Sequence, residues 1–411
     1  MAPRLLLAGL AILAGCGGGS GADEKPDGKL GPEAQKALDE LDAKTRTPDP
    51  AADVEELLGE RATALESADG PALSATATGR QRARDRVTAR RAGRLSIERV
   101  RIVADELETS GARGEAIVTM SYRVRGVRRP FFTTRKLVVR KEPVGWRVSR
   151  DVARAESLPW EVAAFEVTRA PHVVLLTDPA VDAAPLRDGL EQAYREIRRN
   201  LPARDLPRRV LVIGARDGAQ AERLTGRIAP GVVALANVRV DFGSRPAMEV
   251  ERVLEQRLIV IDSRWRTLPP EEQQSTLVHE MTHTALNPDT SGRTPPWLIE
   301  GVAMYVSGDN RAEEARLRAA GAAASTTLRR LCRPNSIFRL TGSAQGAAYA
   351  WSSGAAEAIV AQRGTEDLFR LYDAFNDSKF DGPSCAAITD RVMRRTIDMS
   401  LAELEAAVAG G

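Results

Sequence analysis

No stretch of this sequence offers the about 20 consecutive apolar residues that a membrane-crossing helix needs. The apolar run Leu5–Ala14 is too short. Charge of one sign is also scarce. Lys+Arg number 59 against 56 Asp+Glu, a formal net charge of +3. That basic excess is too small and too scattered for a nucleic-acid surface. Cysteine occurs three times, as Cys16, Cys332 and Cys385. No Cys-x-x-Cys spacing occurs, which argues against a zinc site built on thiolates. Histidine is as rare, three in 411 residues, so the position of each is informative. The remainder is an ordinary soluble composition, 43% hydrophobic and 28% charged. It supplies apolar material for sizeable cores, and the length suits two domains.

Arg4 ahead of Leu5–Ala14 reads as a signal peptide over residues 1–15. The run closes in Leu13-Ala14-Gly15-Cys16, which resembles the bacterial lipobox. That resemblance implies cleavage before Cys16 and acylation of its thiol. The protein would then sit on the extracytoplasmic face of the cell membrane through a lipid anchor, since several acyl chains anchor stably where one does not. The alternative is simple secretion with an incidental cysteine. Residues 16–30, rich in glycine and polar residues, read as a flexible tether. With Cys16 lipidated, Cys332 and Cys385 remain as an even pair, which exported proteins often close into a disulfide. The alternative is two unpaired buried cysteines.

The pattern along the chain predicts an α+β protein. Helices are expected over residues 31–45 and from Ala51 or Ala52 to about Leu65, each with an apolar stripe. Residues 76–92 are polar and arginine-rich and carry no clear pattern. From 95 to 152 the period changes to two, giving strands from Leu95, over Gly114–Val124, over Arg129–Lys141 and at Gly145–Val148. Helices followed by an antiparallel meander resemble the cone-shaped nuclear-transport-factor-2 superfamily or the cystatin-like folds over residues 50–155. No catalytic constellation is visible there, so a support or ligand-binding role is expected. After a connection come strands at His172–Thr177, Arg209–Gly214, Val232–Asn237 and Leu258–Asp262, with helices at Pro185–Ile197 and Asp217–Thr225. This order predicts the small upper sheet of a second domain over residues 165–410.

Two of the three histidines fall in one frame, His279-Glu280-Met281-Thr282-His283. The frame lies in an apolar helix opened by Pro269-Pro270-Glu271-Glu272 and closed by Asn287-Pro288. Residues four apart share a helix face, so both imidazoles can bind one tetrahedral zinc ion. Glu280 projects to one side of the pair, where it can serve as general base toward an activated water. A third ligand is needed. Glu300 is the one acid between Asp289 and Asp309, in the apolar segment Trp297-Leu298-Ile299-Glu300-Gly301-Val302-Ala303-Met304-Tyr305. A carboxylate in such a helix is costly unless it is paired or bound to metal.

Together the two segments resemble the gluzincin clan of zinc metallopeptidases, and more narrowly the bacterial peptidase MA-like domains. The resemblance runs from about His172 to the C-terminus. It implies one zinc ion per chain on His279, His283 and Glu300, with Glu280 as the base. The Gly-x-x-His continuation of metzincins is missing, since Thr284-Ala285-Leu286 follows His283. No histidine follows His283 either, so the transition-state role that thermolysin-like gluzincins give to a downstream histidine is vacant. Tyrosine fills it in other gluzincins. Tyr349 is the candidate here and Tyr305 the runner-up, although aromatics in apolar helices usually serve the core. The Gly-x-Met-x-Asn loop of aminopeptidase relatives is absent. Val238-Arg239-Val240-Asp241 offers an edge strand for an extended peptide.

The expectation is a cell-envelope lipoprotein that hydrolyses peptide bonds in a peptide or protein substrate, with an envelope protein as a candidate partner of its N-terminal module. Its rival is a non-enzymatic surface protein that keeps zinc for stability. The intact Glu280 disfavours the rival, because a purely structural zinc has no use for a base.

Overall fold

In a computed structural model, the described residues are 49–201, 206–226, 228, 231–241, 252–308, 327–333, 336–376 and 384–410. The expected signal peptide, Cys16, the tether, the helix over 31–45 and most of the arginine- and alanine-rich segment after residue 309 lie outside them. The architecture is α+β, with one antiparallel and one mixed sheet.

Three helices come first: α1 (Pro50–Glu66), α2 (Gly70–Ala75) and α3 (Arg80–Leu95). The stripe Val54, Leu57, Leu58 of α1 is buried. The patternless arginine-rich segment forms α3, whose buried apolar residues are Ala89, Ala92 and Leu95. Ser96 then takes a left-handed conformation and ends the helix, so the strand expected from Leu95 begins at Ile97. Strands β1 (Ile97–Ser110), β2 (Arg113–Val124), β3 (Phe131–Glu142) and β4 (Gly145–Ala153) pair in sequence as an antiparallel meander. Along β2 the residues Ala116, Val118, Met120, Tyr122 and Val124 are all buried, the period-two signature of a sheet with one core face.

After the short helix α4 (Pro159–Val162) the second sheet begins. It contains β5 (Glu166–Arg169), β6 (Val173–Thr177), β7 (Val210–Ala215), β8 (Ala234–Asp241) and β9 (Arg252–Ile261), in the order β5-β6-β7-β9-β8. β6, β7 and β9 are parallel, while β5 and β8 are antiparallel edges. Helix α5 (Ala183–Asn200) crosses from β6 to β7, and α6 (Gly218–Thr225) follows β7. β6 and β7 are buried at every position, as a parallel sheet covered on both faces requires.

The covers of the two faces differ. Val173, Leu175, Val212, Leu258 and Val260 share a core with Leu186 and Leu190 of α5. Val174, Leu176, Leu211, Ile213, Ile259 and Ile261 share one with Met120, Tyr122, Phe131 and Trp160. The N-terminal half is therefore the second cover of the sheet, and residues 50–411 form one compact unit. A buried polar join reinforces the apolar one. Glu255 on β9 accepts the Phe132 backbone N–H at 2.9 Å, and Arg257 pairs with Glu156 at 2.7 Å.

The remaining elements are helical: α7 (Asp262–Trp265), α8 (Pro270–Leu286), α9 (Pro296–Ser307), α10 (Leu328–Leu331), α11 (Gly342–Arg363), α12 (Thr365–Ala374), α13 (Cys385–Ile397) and α14 (Leu401–Gly410). The start of α14 is a capping box. Ser400 Oγ accepts the Glu403 N–H at 3.1 Å, and Glu403 accepts the Ser400 N–H at 2.6 Å. Cys332 and Cys385 meet at disulfide distance, Cα–Cα 5.8 Å, and tie the end of α10 to the start of α13. No helix among the described residues is long and apolar enough to cross a membrane.

Candidate metal centre

Helix α8 begins on Pro270, with Glu271 and Glu272 in its first turn. Both features suit a helix N-terminus, where the proline lacks an N–H that would go unpaired and carboxylates meet the positive end of the dipole. Leu277, Val278, Met281 and Ala285 anchor one side of α8 in the core. His279 and His283 lie one turn apart on another side. Their rings meet edge to face at 4.7 Å, and their Nε2 atoms are 3.1 Å apart.

Helix α9 supplies the third group. It starts at Pro296, buries Trp297, Leu298, Val302 and Ala303, and closes on Gly308 in the left-handed region. Glu300 is 3% exposed. Its Oε2 lies 3.3 Å from His279 Nε2 and 3.5 Å from His283 Nε2. The three donor atoms thus form a nearly equilateral triangle. Donors about 2 Å from a shared tetrahedral ion stand about 3.3 Å apart, so the triangle has the size to hold one metal ion.

The electrostatics point the same way. Burial opposes a charged imidazolium at His283, yet the neighbouring Glu300 carboxylate outweighs it and raises the pKa above its ordinary value. Burial alone would lift the Glu300 carboxyl, but His283 and His279 hold it well below the usual carboxylate range. The cluster is a buried anionic pocket that calls for a cation, a proton or a metal. His279 Nδ1 is buried and has no hydrogen-bond partner among the described residues.

Glu280 stands beside this triangle rather than within it. Its Oε2 accepts the backbone N–H of Ala236, on edge strand β8, at 2.7 Å. Its charge is felt at His283. β8 reaches the site because it pairs antiparallel with β9, Ala236 opposite Leu258. Gln256 of β9 in turn donates to the carbonyl of Thr284, on α8, at 2.9 Å.

The tyrosines separate. The hydroxyl of Tyr305 bonds with Thr365 Oγ1 at 2.9 Å and joins α9 to α12, a structural use. Tyr349 lies half-buried in α11, packed against the C-terminal core. Helix α11 runs against α9 because of Gly301. A Cβ there would sit 2.3 Å from the Ser352 carbonyl oxygen, so glycine alone permits that approach. Neither the Ala236 contact nor the Gly301 contact is visible in local sequence, since each depends on a partner far along the chain. The only available signal for Gly301 was its place in the motif after Glu300.

No protein-family model, no curated protein and no solved structure matches this chain.

Proposed function

We propose that the protein is a zinc-dependent peptidase of gluzincin type, carried as a cell-envelope lipoprotein on Cys16. The observation that carries this reading is the triangle of His279, His283 and Glu300 with Glu280 one residue along the same helix, docked on an edge strand. Two imidazoles and one carboxylate at tetrahedral spacing are the donor set of catalytic zinc. A zinc ion, when bound, supplies Lewis-acid polarisation of a carbonyl and lowers the pKa of water. Glu280 removes the proton from the attacking water and returns it to the leaving amine. The Ala236 N–H fixes one oxygen of that carboxylate, while the other has no partner among the described residues. β8 is an edge strand among the described residues, and its backbone over Val238–Asp241 offers pairing to an extended peptide. Tyr349 is the candidate for stabilising the charge that develops on the carbonyl oxygen.

The second reading is a non-enzymatic envelope protein that retains the metal. It draws on the role of the N-terminal half as a sheet cover, which suits an adaptor. One experiment separates the two: metal analysis of the purified protein, together with hydrolysis of a proteome-derived peptide pool with and without a zinc chelator. Chelator-sensitive cleavage with one zinc per chain supports the peptidase. Full zinc occupancy with no cleaved peptide supports the binding protein.

A further inference from the structure

A cleft among the described residues is lined by none of His279, His283 and Glu300. About 1040 Å³ opens between α3 and the antiparallel sheet, just above the about 300–1,000 Å³ of small-molecule sites. Its floor is apolar. Leu73, Val118, Met120 and Leu137 line it and are all 2% exposed or less. Its charges are lopsided, with seven arginines and three acids among the lining residues.

The acids are already engaged below the rim. Asp85 holds Arg61 at 2.8 Å. Asp151 and Glu161 both hold the buried Arg135, at 2.6 and 2.5 Å. The arginines at the rim have no such partners. Arg80 and Arg84 are one turn apart on α3, and Arg150 comes from β4. All three are exposed and have no acidic partner among the described residues. Placing like charges at i and i+4 on a helix is unfavourable in itself, so the arrangement gains only when an anion sits among them. Trp160 also lines the cleft. It is 1% exposed, and its indole N–H has no acceptor among the described residues, an orphaned donor that a ligand oxygen would satisfy.

We propose that this cleft binds a small anionic amphiphile, with a phosphate or carboxylate head on Arg80, Arg84 and Arg150 and an apolar body over Met120, Val118 and Leu137. The apolar floor selects against a simple inorganic anion, and the arginine rim selects against a neutral lipid. This assignment is independent of the metal centre.

Calorimetric titration of the purified protein tests it, with dodecyl phosphate and dodecanoate each kept below the critical micelle concentration. Dodecanol and inorganic phosphate serve as the neutral and headgroup-only controls. The expected result is 1:1 binding of at least one of the two amphiphiles, at least tenfold tighter than either control, and their ratio names the preferred head. The Arg84→Glu/Arg150→Glu variant changes only exposed side chains, so its thermal unfolding should match the parent while its affinity falls at least tenfold. Binding no tighter than either control, or undiminished in a folded double variant, would overturn the assignment.

Discussion

Ala236 of β8 donates its backbone N–H to Glu280 Oε2 at 2.7 Å, which fixes the carboxylate beside His279 and His283 onto the edge of the sheet. The donor is main chain, so any residue but proline at position 236 can supply it. The acceptor is the side chain that the proposed mechanism needs.

Glu280→Gln therefore separates structure from chemistry. The amide oxygen of glutamine still accepts the Ala236 N–H, and neither His279 nor Glu300 is touched. Metal content and thermal unfolding should match the parent, while peptide hydrolysis falls at least about 100-fold, the lower range for a lost general base. Zinc analysis beside a peptidase rate checks this. Full activity in the variant would end the mechanism.

Removing the metal should cost more stability at about pH 8.5 than at about pH 6. The His283 pKa is raised in the folded chain by Glu300, despite burial. Without metal, its stabilising contribution is complete below its ordinary value of 6.5 and is lost as pH rises through the folded value. The Glu300 pKa is lowered, so its contribution holds above the ordinary 4.5 and fails only as pH falls through its folded value. From the lower to the higher pH Glu300 stays charged while the protonated share of His283 falls, and a bound cation takes the place of that proton. Thermal unfolding of chelated and metal-loaded protein at both pH values measures the gap. A gap that stays constant or narrows with rising pH contradicts the arrangement.

How much of this was legible in sequence depends on the distance over which each feature is specified. The frame His279–His283 and the lone acid Glu300 are local features of apolar helices, and the helices form where the prolines at 270 and 296 start them. The meander was legible because one-sided burial writes a period of two into β2. Helix α3 was not. Seven arginines in its sixteen residues hide a buried face whose apolar members are only Ala89, Ala92 and Leu95, beside the buried polar Gln81 and Asp85, and such a face gives a weak pattern. The joining of the two halves was equally hidden. Continuous apolar runs in β6 and β7 announce burial on both faces, but do not say that Tyr122 and Phe131 supply the second cover.

Gly301→Ala should destabilise the protein and weaken metal binding together. The added Cβ meets the Ser352 carbonyl oxygen at 2.3 Å, a backbone atom that cannot rotate away. Helices α9 and α11 must separate, which costs on the order of 1–3 kcal/mol as overpacking does, and Glu300 moves with α9. Gly59→Ala is the control. Nothing lies within 4 Å of its Cβ in α1, so helix propensity should raise stability by about 0.5–1 kcal/mol with metal affinity unchanged. Denaturant unfolding and zinc titration of both variants check the contrast. Unchanged stability and metal affinity in Gly301→Ala would show that the helices do not depend on that contact.

The buried charges between the two sheets give the sharpest test of how the halves are held together. Arg257 is 4% exposed. It reaches Glu156 at 2.7 Å, the Leu224 carbonyl at 2.8 Å and Glu255 at 3.4 Å. Glu255 is 2% exposed, and its other oxygen accepts the Phe132 N–H from the opposite sheet. Arg257→Met keeps the volume but removes the cation 3.4 Å from the buried Glu255 carboxylate, and breaking a buried pair from one side typically costs about 3–5 kcal/mol. Arg257→Met/Glu255→Gln removes that carboxylate's charge as well and leaves an amide oxygen for the Phe132 N–H. Most of the loss should then return, because a buried pair replaced as a unit is often close to neutral. Urea unfolding of the parent, both single variants and the double variant forms a cycle whose coupling term isolates the pair. A loss of under about 1 kcal/mol in Arg257→Met would mean that water reaches these carboxylates and that apolar packing alone joins the sheets.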